Sequence, residues 1–173
     1  TFEETRKYLA PGLFGPCGYG LPSVVGAKIG RPDVPVVGFS GDGAFGIAVN
    51  ELTAIGRKEW PAVTQIVFRN YQWGAEKRNS TLWYDDNFVG TELDTQVSYA
   101  GIAKACGLQG VVAKTMDELT KALHTAIKDQ MENGKTTLIE AMINQELGEP
   151  FRRDAMKKPV SIAGISVSDM REQ

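Results

Sequence analysis

Four short runs of apolar, largely β-branched residues alternate with stretches of helical period, and this alternation limits the chain more than any other feature. The runs are "VPVVGFS" (34–40), "AVTQIVF" (62–68), "GVVA" (110–113) and "TTLIEAMI" (136–143). A run too uniformly apolar to alternate reads as a strand covered on both faces. Strands joined through helical crossovers line up in parallel. The expected fold is therefore α/β, a parallel sheet with helices on both faces, with residues 1–145 as one domain and 146–173 as a C-terminal extension packing on the domain or a partner. Ligands of such sheets sit beyond the carboxyl ends of the strands.

The helical stretches are expected at 19–30, ending near Gly30 before the turn "RPDVP", at 44–58, at 98–106, and from Thr115 onward. In the second, Ala48, Leu52, Ile55 and Ala44 share one face. The last opens with the capping box Thr115-x-x-Glu118, carries the stripe Leu119, Ala122, Leu123, Ala126 and Ile127, and stops at Gly134. Residues 70–95 are polar and aromatic with no clear period, and a loop of that length in a compact domain is usually functional or mobile.

A chain of 173 residues, 42% hydrophobic and 23% charged, can bury one substantial core. Its 19 basic and 21 acidic residues are dispersed, so no basic stripe suggests nucleic acid, and a small-molecule site is expected. Cys17 and Cys106 lie far apart without partners at metal-ligand spacing, which argues against a disulfide framework or a zinc site. No apolar run is long enough for a membrane span and the first residues lack signal-peptide order, so the reading is cytoplasmic, with no membrane partner. The absence of an initial Met reads as a piece of something larger. His124, the single histidine, falls off its helix stripe and is expected exposed; Cys106 is expected in the core, and Asp85 and Asp86 in a turn.

The first strand runs straight into "GDGAFG", where Gly41-x-Gly43-x-x-Gly46 matches the dinucleotide fingerprint of strand, glycine turn and helix. That fingerprint wants an acid at the end of the second strand. Here the second strand ends in Asn70, and the acid, Asp42, stands inside the turn. A carboxylate facing a diphosphate is repelled unless a cation lies between them, and Mg²⁺ commonly joins one or two protein oxygens to substrate phosphates. Asp42 then becomes a metal ligand. Asn70, at the tip of the neighbouring strand, offers an amide oxygen, and a main-chain carbonyl just beyond it a third donor. Taken alone, Asp42 serves equally as a turn residue or N-cap.

"GDGAFGIAVNELTAIGRKEWPAVTQIVFRN" resembles the diphosphate-binding motif of thiamine diphosphate enzymes, in their C-terminal domain. By that resemblance Asp42, Asn70 and the main-chain carbonyl of Gln72 bind Mg²⁺. The amides of Gly43 and Ala44 meet the diphosphate of thiamine diphosphate, and Gly41, Trp73 and Gly74 border it. "FGPCGYGLPSVVGAKIG" resembles the stretch that meets the aminopyrimidine ring: the Gly15 carbonyl accepts from its 4′-amino group, and Cys17 takes the place of the side chain that wedges the cofactor into its bent form. Gly18 and Tyr19 lie alongside.

"QWGAEK" and "PFRRDA", with "FGPCGYG", "FVGTELD", "GIAKACG" and "GKTTLIEAM", further resemble the sulfoacetaldehyde acetyltransferases over nearly the whole chain. The implied reaction takes sulfoacetaldehyde and phosphate to acetyl phosphate and sulfite. An anionic sulfonate and phosphate call for cationic donors; the candidates are Lys77, Arg78, Arg152 and Arg153. Glu76 is the candidate proton shuttle, and with Lys77 makes the expected catalytic pair. For each charge a solvated surface role is the plain alternative, and Trp73 is equally a loop anchor or a pocket wall. The resemblance also implies a pyrimidine-binding domain, from the same or another chain, a homo-oligomer, and no activity alone. The alternatives are the small subunit of a two-chain decarboxylase such as one acting on sulfopyruvate, a nicotinamide-binding domain, and a non-catalytic assembly domain.

Overall fold

The computed structural model describes residues 7–146. Its elements follow in the order α1 (Gly20–Gly30), β1 (Val37–Gly41), α2 (Asp42–Ile47), α3 (Glu51–Ile55), β2 (Thr64–Arg69), α4 (Gly74–Trp83), α5 (Tyr99–Ala105), β3 (Gln109–Ala113), α6 (Met116–Glu132) and β4 (Thr137–Met142). The strands form one parallel sheet in the order β1-β2-β4-β3. The expected fold class holds.

Helices cover both faces because two apolar sets point away from the sheet in opposite directions. On one face Leu21, Val24 and Val25 of α1, Phe45, Leu52 and Ile55 of α2 and α3, and Tyr99, Ala100 and Ala103 of α5 pack on Val63, Val67 and Leu138. On the other, Ala126 with Leu119, Ala122 and Leu123 of α6 packs on Ile66, Ile139 and Ala141. The capping box forms at its first contact, with Thr115 Oγ1 accepting from Glu118 N at 3.2 Å, while the Glu118 carboxylate returns to Lys114 N at 2.6 Å instead of to the cap.

Four expectations are corrected. β1 begins at Val37 rather than residue 34: the Val36 N–H is taken by a side chain, donating to Gln130 of α6 at 2.7 Å, while its carbonyl is shared between Gln130 at 2.9 Å and the Thr64 N–H at 3.2 Å. Nor is β1 covered on both faces: among the described residues it is an edge of the sheet, and Phe39, stacked on Phe68, is 61% exposed. The single helix expected over 44–58 is two short ones. Its apolar face runs on unbroken through Phe45, Ala48, Leu52 and Ile55, so periodicity carries no trace of the break, and Phe45, not the half-buried Ala44, is its first core residue. Finally, α4 lies in the stretch expected to lack structure; it buries none of its residues fully, so it has no apolar stripe to read.

Candidate functional site at the carboxyl ends of β1 and β2

β1 and β2 are paired in register from Val37↔Thr64 to Gly41↔Phe68, which brings the residues just past their ends together. Asp42, the first residue of α2, is 1% exposed. Its Oδ2 accepts from the backbone N–H groups of Asn70 at 3.1 Å and Tyr71 at 2.7 Å, and its Oδ1 accepts from Gly43 N at 3.0 Å. Tyr71 has φ 61°, a left-handed conformation for a non-glycine residue, and it sits where two successive amides serve one carboxylate oxygen. Such backbone strain persists only where the surroundings enforce it.

The Asn70 side-chain oxygen faces the same corner, accepting from Gln72 N at 3.3 Å. The buried Gln72 donates through Nε2 to the Gln145 carbonyl, while its Oε1 has no hydrogen-bond partner. Asn70, Gln72, Gly74, Ala75, Arg78 and Glu146 line an open cleft of about 230 Å³. Among the described residues no group of three His, Cys, Asp or Glu side chains could hold a metal ion. A cation here would rely on one carboxylate, amide and main-chain oxygens, and oxygens brought by a ligand.

The floor of the site is a buried charge cluster that the sequence did not disclose. Arg69 is 1% exposed; its guanidinium lies 3.2 Å from Glu140 Oε1 and 3.8 Å from Asp42 Oδ2, and it donates to the carbonyls of Asp94 and Val97. The rings of Tyr71 and Tyr99 flank it at 4.4 and 4.8 Å. Tyr99 in turn donates its hydroxyl to the Asp42 carbonyl at 3.0 Å, and burial pushes its phenol above the usual range.

The remaining expected residues fall on two sides of the turn. Trp73 places its indole against Gly43. Gly15 and Cys17 are exposed, and Gly18, with φ 87°, comes so close to Ile47 of α2 that a Cβ there would stand 3.0 Å from Ile47 Cγ2. Tyr19 caps α1, its carbonyl accepting from Ser23 Oγ. The 15–19 segment therefore borders the helix that carries Asp42. Gly41 and Ala44 flank the turn; Glu76 is exposed in the first turn of α4, and Lys77 is ion-paired with Glu92 and stands over the Phe88 ring at 5.4 Å. Arg152 and Arg153 lie outside the described residues, as does nearly all of the expected extension. His124 is exposed, and Cys106, half-buried, packs against the core; Asp85 and Asp86 are in left-handed turn conformations. No helix among the described residues is long and apolar enough to cross a membrane.

Residues 1–141 match the family "Thiamine pyrophosphate enzyme, C-terminal TPP binding domain". The whole chain is 86% identical to a sulfoacetaldehyde acetyltransferase of Roseovarius nubinhibens and 78% identical to one of Rhodobacter capsulatus, spanning 28% and 29% of their lengths. Among solved structures it superimposes on a thiamine diphosphate-dependent 4-hydroxybenzoylformate decarboxylase of Rhodococcus jostii RHA1 with a TM-score of 0.67 at 27% identity, over 78% of this chain and 24% of that one.

Proposed function

Since the chain belongs to the thiamine pyrophosphate enzymes, as their C-terminal TPP-binding domain, we propose that it holds the cofactor's diphosphate through Mg²⁺ within a sulfoacetaldehyde acetyltransferase. The single observation that carries the metal site is the meeting of Asp42 and Asn70 at the ends of paired strands, with Asp42 Oδ2 spent on two backbone amides and Oδ1 on one. A carboxylate oxygen has two lone pairs, so Oδ1 keeps one for a cation. The donor set fits a hard, oxygen-seeking ion that arrives with phosphate oxygens of its own.

On this reading Asp42, Asn70 and the Gln72 carbonyl hold Mg²⁺, and the Ala44 amide receives the diphosphate, bordered by Gly41, Trp73 and Gly74; the expected Gly43 amide is corrected, because its one N–H is engaged by Asp42 Oδ1. The Gly15 carbonyl orients the aminopyrimidine, with Cys17, Gly18 and Tyr19 beside it. When bound, the cofactor supplies the carbanion chemistry, and the protein binds, orients and excludes water. Lys77 attracts the anionic sulfonate or phosphate, and Glu76 moves a proton at the mouth of the site. The identity of 86% to an acetyltransferase supports this substrate over the two-chain decarboxylase reading. The pyrimidine half of the site comes from a further domain of the same or another chain in a homo-oligomer, and the domain alone makes no acetyl phosphate.

Calorimetric titration of the full-length protein with thiamine diphosphate, in Mg²⁺ and in EDTA, tests the site. Binding that needs Mg²⁺ and is lost in Asp42→Ala is expected. Equal binding with and without the metal would sink the proposal.

A further inference from the structure

Asp42 has a competitor for the metal already in place. The Arg69 guanidinium stands 3.8 Å from Asp42 Oδ2, buried, positively charged and one residue from Asn70. Left to itself, a buried cation at that range would close on the nearest carboxylate, because Coulomb attraction is strong where water is excluded. Instead the guanidinium is shared: its ion pair with Glu140 is the shorter, made through an Nε that has no hydrogen-bond partner, and its ion pair with Asp42 is the longer. Glu140 is 3% exposed on β4 and lies 3.2 Å from Arg69 Nε through Oε1; its Oε2 is fixed by Ser98 Oγ at 3.0 Å and Ala100 N at 3.1 Å. The carbonyls of Asp94 and Val97 hold the other side of the guanidinium, at 2.9 and 2.6 Å.

We propose that Glu140 is a positioning residue for the metal site: by drawing Arg69 toward itself it keeps the guanidinium out of hydrogen-bonding contact with Asp42 and leaves that carboxylate to a divalent cation. This rests on the Mg²⁺–diphosphate reading of Asp42. The three buried charges sum to −1, Asp42 and Glu140 against Arg69. Neutralising Glu140 alone brings the sum to zero and frees Arg69 to close further on Asp42, and both changes oppose a cation. Removing Arg69 as well restores −1 and removes the competitor. A purely structural role for Glu140 predicts no such rescue, since a second buried substitution only adds to the damage.

The test is the half-saturating concentration of Mn²⁺, read by electron paramagnetic resonance in the presence of thiamine diphosphate, in the full-length enzyme. It compares the wild type with Glu140→Gln, Arg69→Met and the double variant, with a thermal melt of each. Gln is isosteric with Glu and can still accept from Ser98 and Ala100, so Glu140→Gln is expected to fold. Its half-saturation should rise about tenfold or more. The double variant should return to within about threefold of the wild type, and Arg69→Met should bind the ion no more weakly than the wild type while melting lower. Unchanged Mn²⁺ binding in folded Glu140→Gln, or weakened binding that the double variant does not recover, overturns the inference. Absence of Mn²⁺ binding in the wild type overturns the metal-site reading itself, and the inference falls with it.

Discussion

The indole of Trp73 lies so close to Gly43 that a Cβ at position 43 would stand 2.8 Å from its Cδ2 and Cε3 atoms. Real side chains do not pack at that distance, so any larger residue there must drive the ring out. Glycine at this position serves the approach of a neighbouring side chain, beside the N–H that Asp42 Oδ1 already engages. Gly43→Ala is expected to lower stability by about 1–3 kcal/mol through overpacking. We further expect thiamine diphosphate to bind at least about tenfold more weakly, because the wall moves with the turn. Melting curves and calorimetric titration of the full-length variant check both. A variant that melts and binds as the wild type does would show that Trp73 is no fixed wall.

The turn and its partner were legible because both are local signals: a glycine pair around an acid, and an Asn at the end of the next apolar run. The strands and α6 were legible for the same reason, the strands as short apolar runs and α6 through its helical stripe. What stayed hidden was set by contacts between distant segments. Val67 is opposite Glu140 in the β2–β4 register, which puts Arg69 and Glu140 on one face, two positions apart. Neither residue announces this, because a buried Arg is rare and its partner lies on another strand. The kinship of Gln130 with Val36 is hidden likewise: a helix residue completes the strand's hydrogen bonding. α4 escaped for the opposite reason, a helix whose sequence has no side to bury.

Tyr99 makes the stability of the site depend on alkaline pH. Burial raises its phenol, with the nearby Arg69 charge acting in the opposite direction. An unfolded tyrosine titrates near pH 10, so above that value the unfolded chain releases a proton that the folded one keeps. The contribution is complete below about pH 10 and is lost as pH rises through the folded-state value. Tyr99→Phe removes this dependence and the hydrogen bond its hydroxyl donates to the Asp42 carbonyl, at a cost of about 1 kcal/mol near neutral pH. Denaturant unfolding of both proteins from pH 7 to 11.5 checks this. The gap between the two curves should narrow above pH 10, and a gap that widens there contradicts the assignment.

Gln130 is expected to matter for the sheet and not for the cofactor. It satisfies both backbone groups of Val36 and donates to Thr64 Oγ1 at 2.9 Å, all from 3% exposure. Gln130→Leu keeps the bulk but strands the Val36 N–H, while the Val36 carbonyl keeps the Thr64 N–H; the one unpaired donor costs about 1–3 kcal/mol. The midpoint of urea unfolding should fall clearly. Thiamine diphosphate affinity, measured well below that midpoint, should stay within about twofold, since β1 still ends at the same turn. A comparable loss of affinity would mean that the edge strand shifts along its length.

Lys77 and Glu92 separate attraction of substrate from mere bracing of α4. Their ion pair, with Phe88 beneath the ammonium, can be read either as a strut or as a lysine held ready for an anionic substrate. The two readings differ in sign. A strut fails in the same way whichever partner is removed, so Lys77→Met and Glu92→Gln would both depress activity. If Lys77 attracts an anionic sulfonate, Lys77→Met raises the KM for sulfoacetaldehyde about tenfold, the worth of one charge-assisted hydrogen bond. Glu92→Gln then releases the lysine and removes a nearby negative charge, so KM should fall or hold while the cofactor affinity of both variants stays unchanged. Steady-state kinetics of the full-length enzyme at saturating phosphate decide between them, and equal rises in KM would assign the pair to bracing.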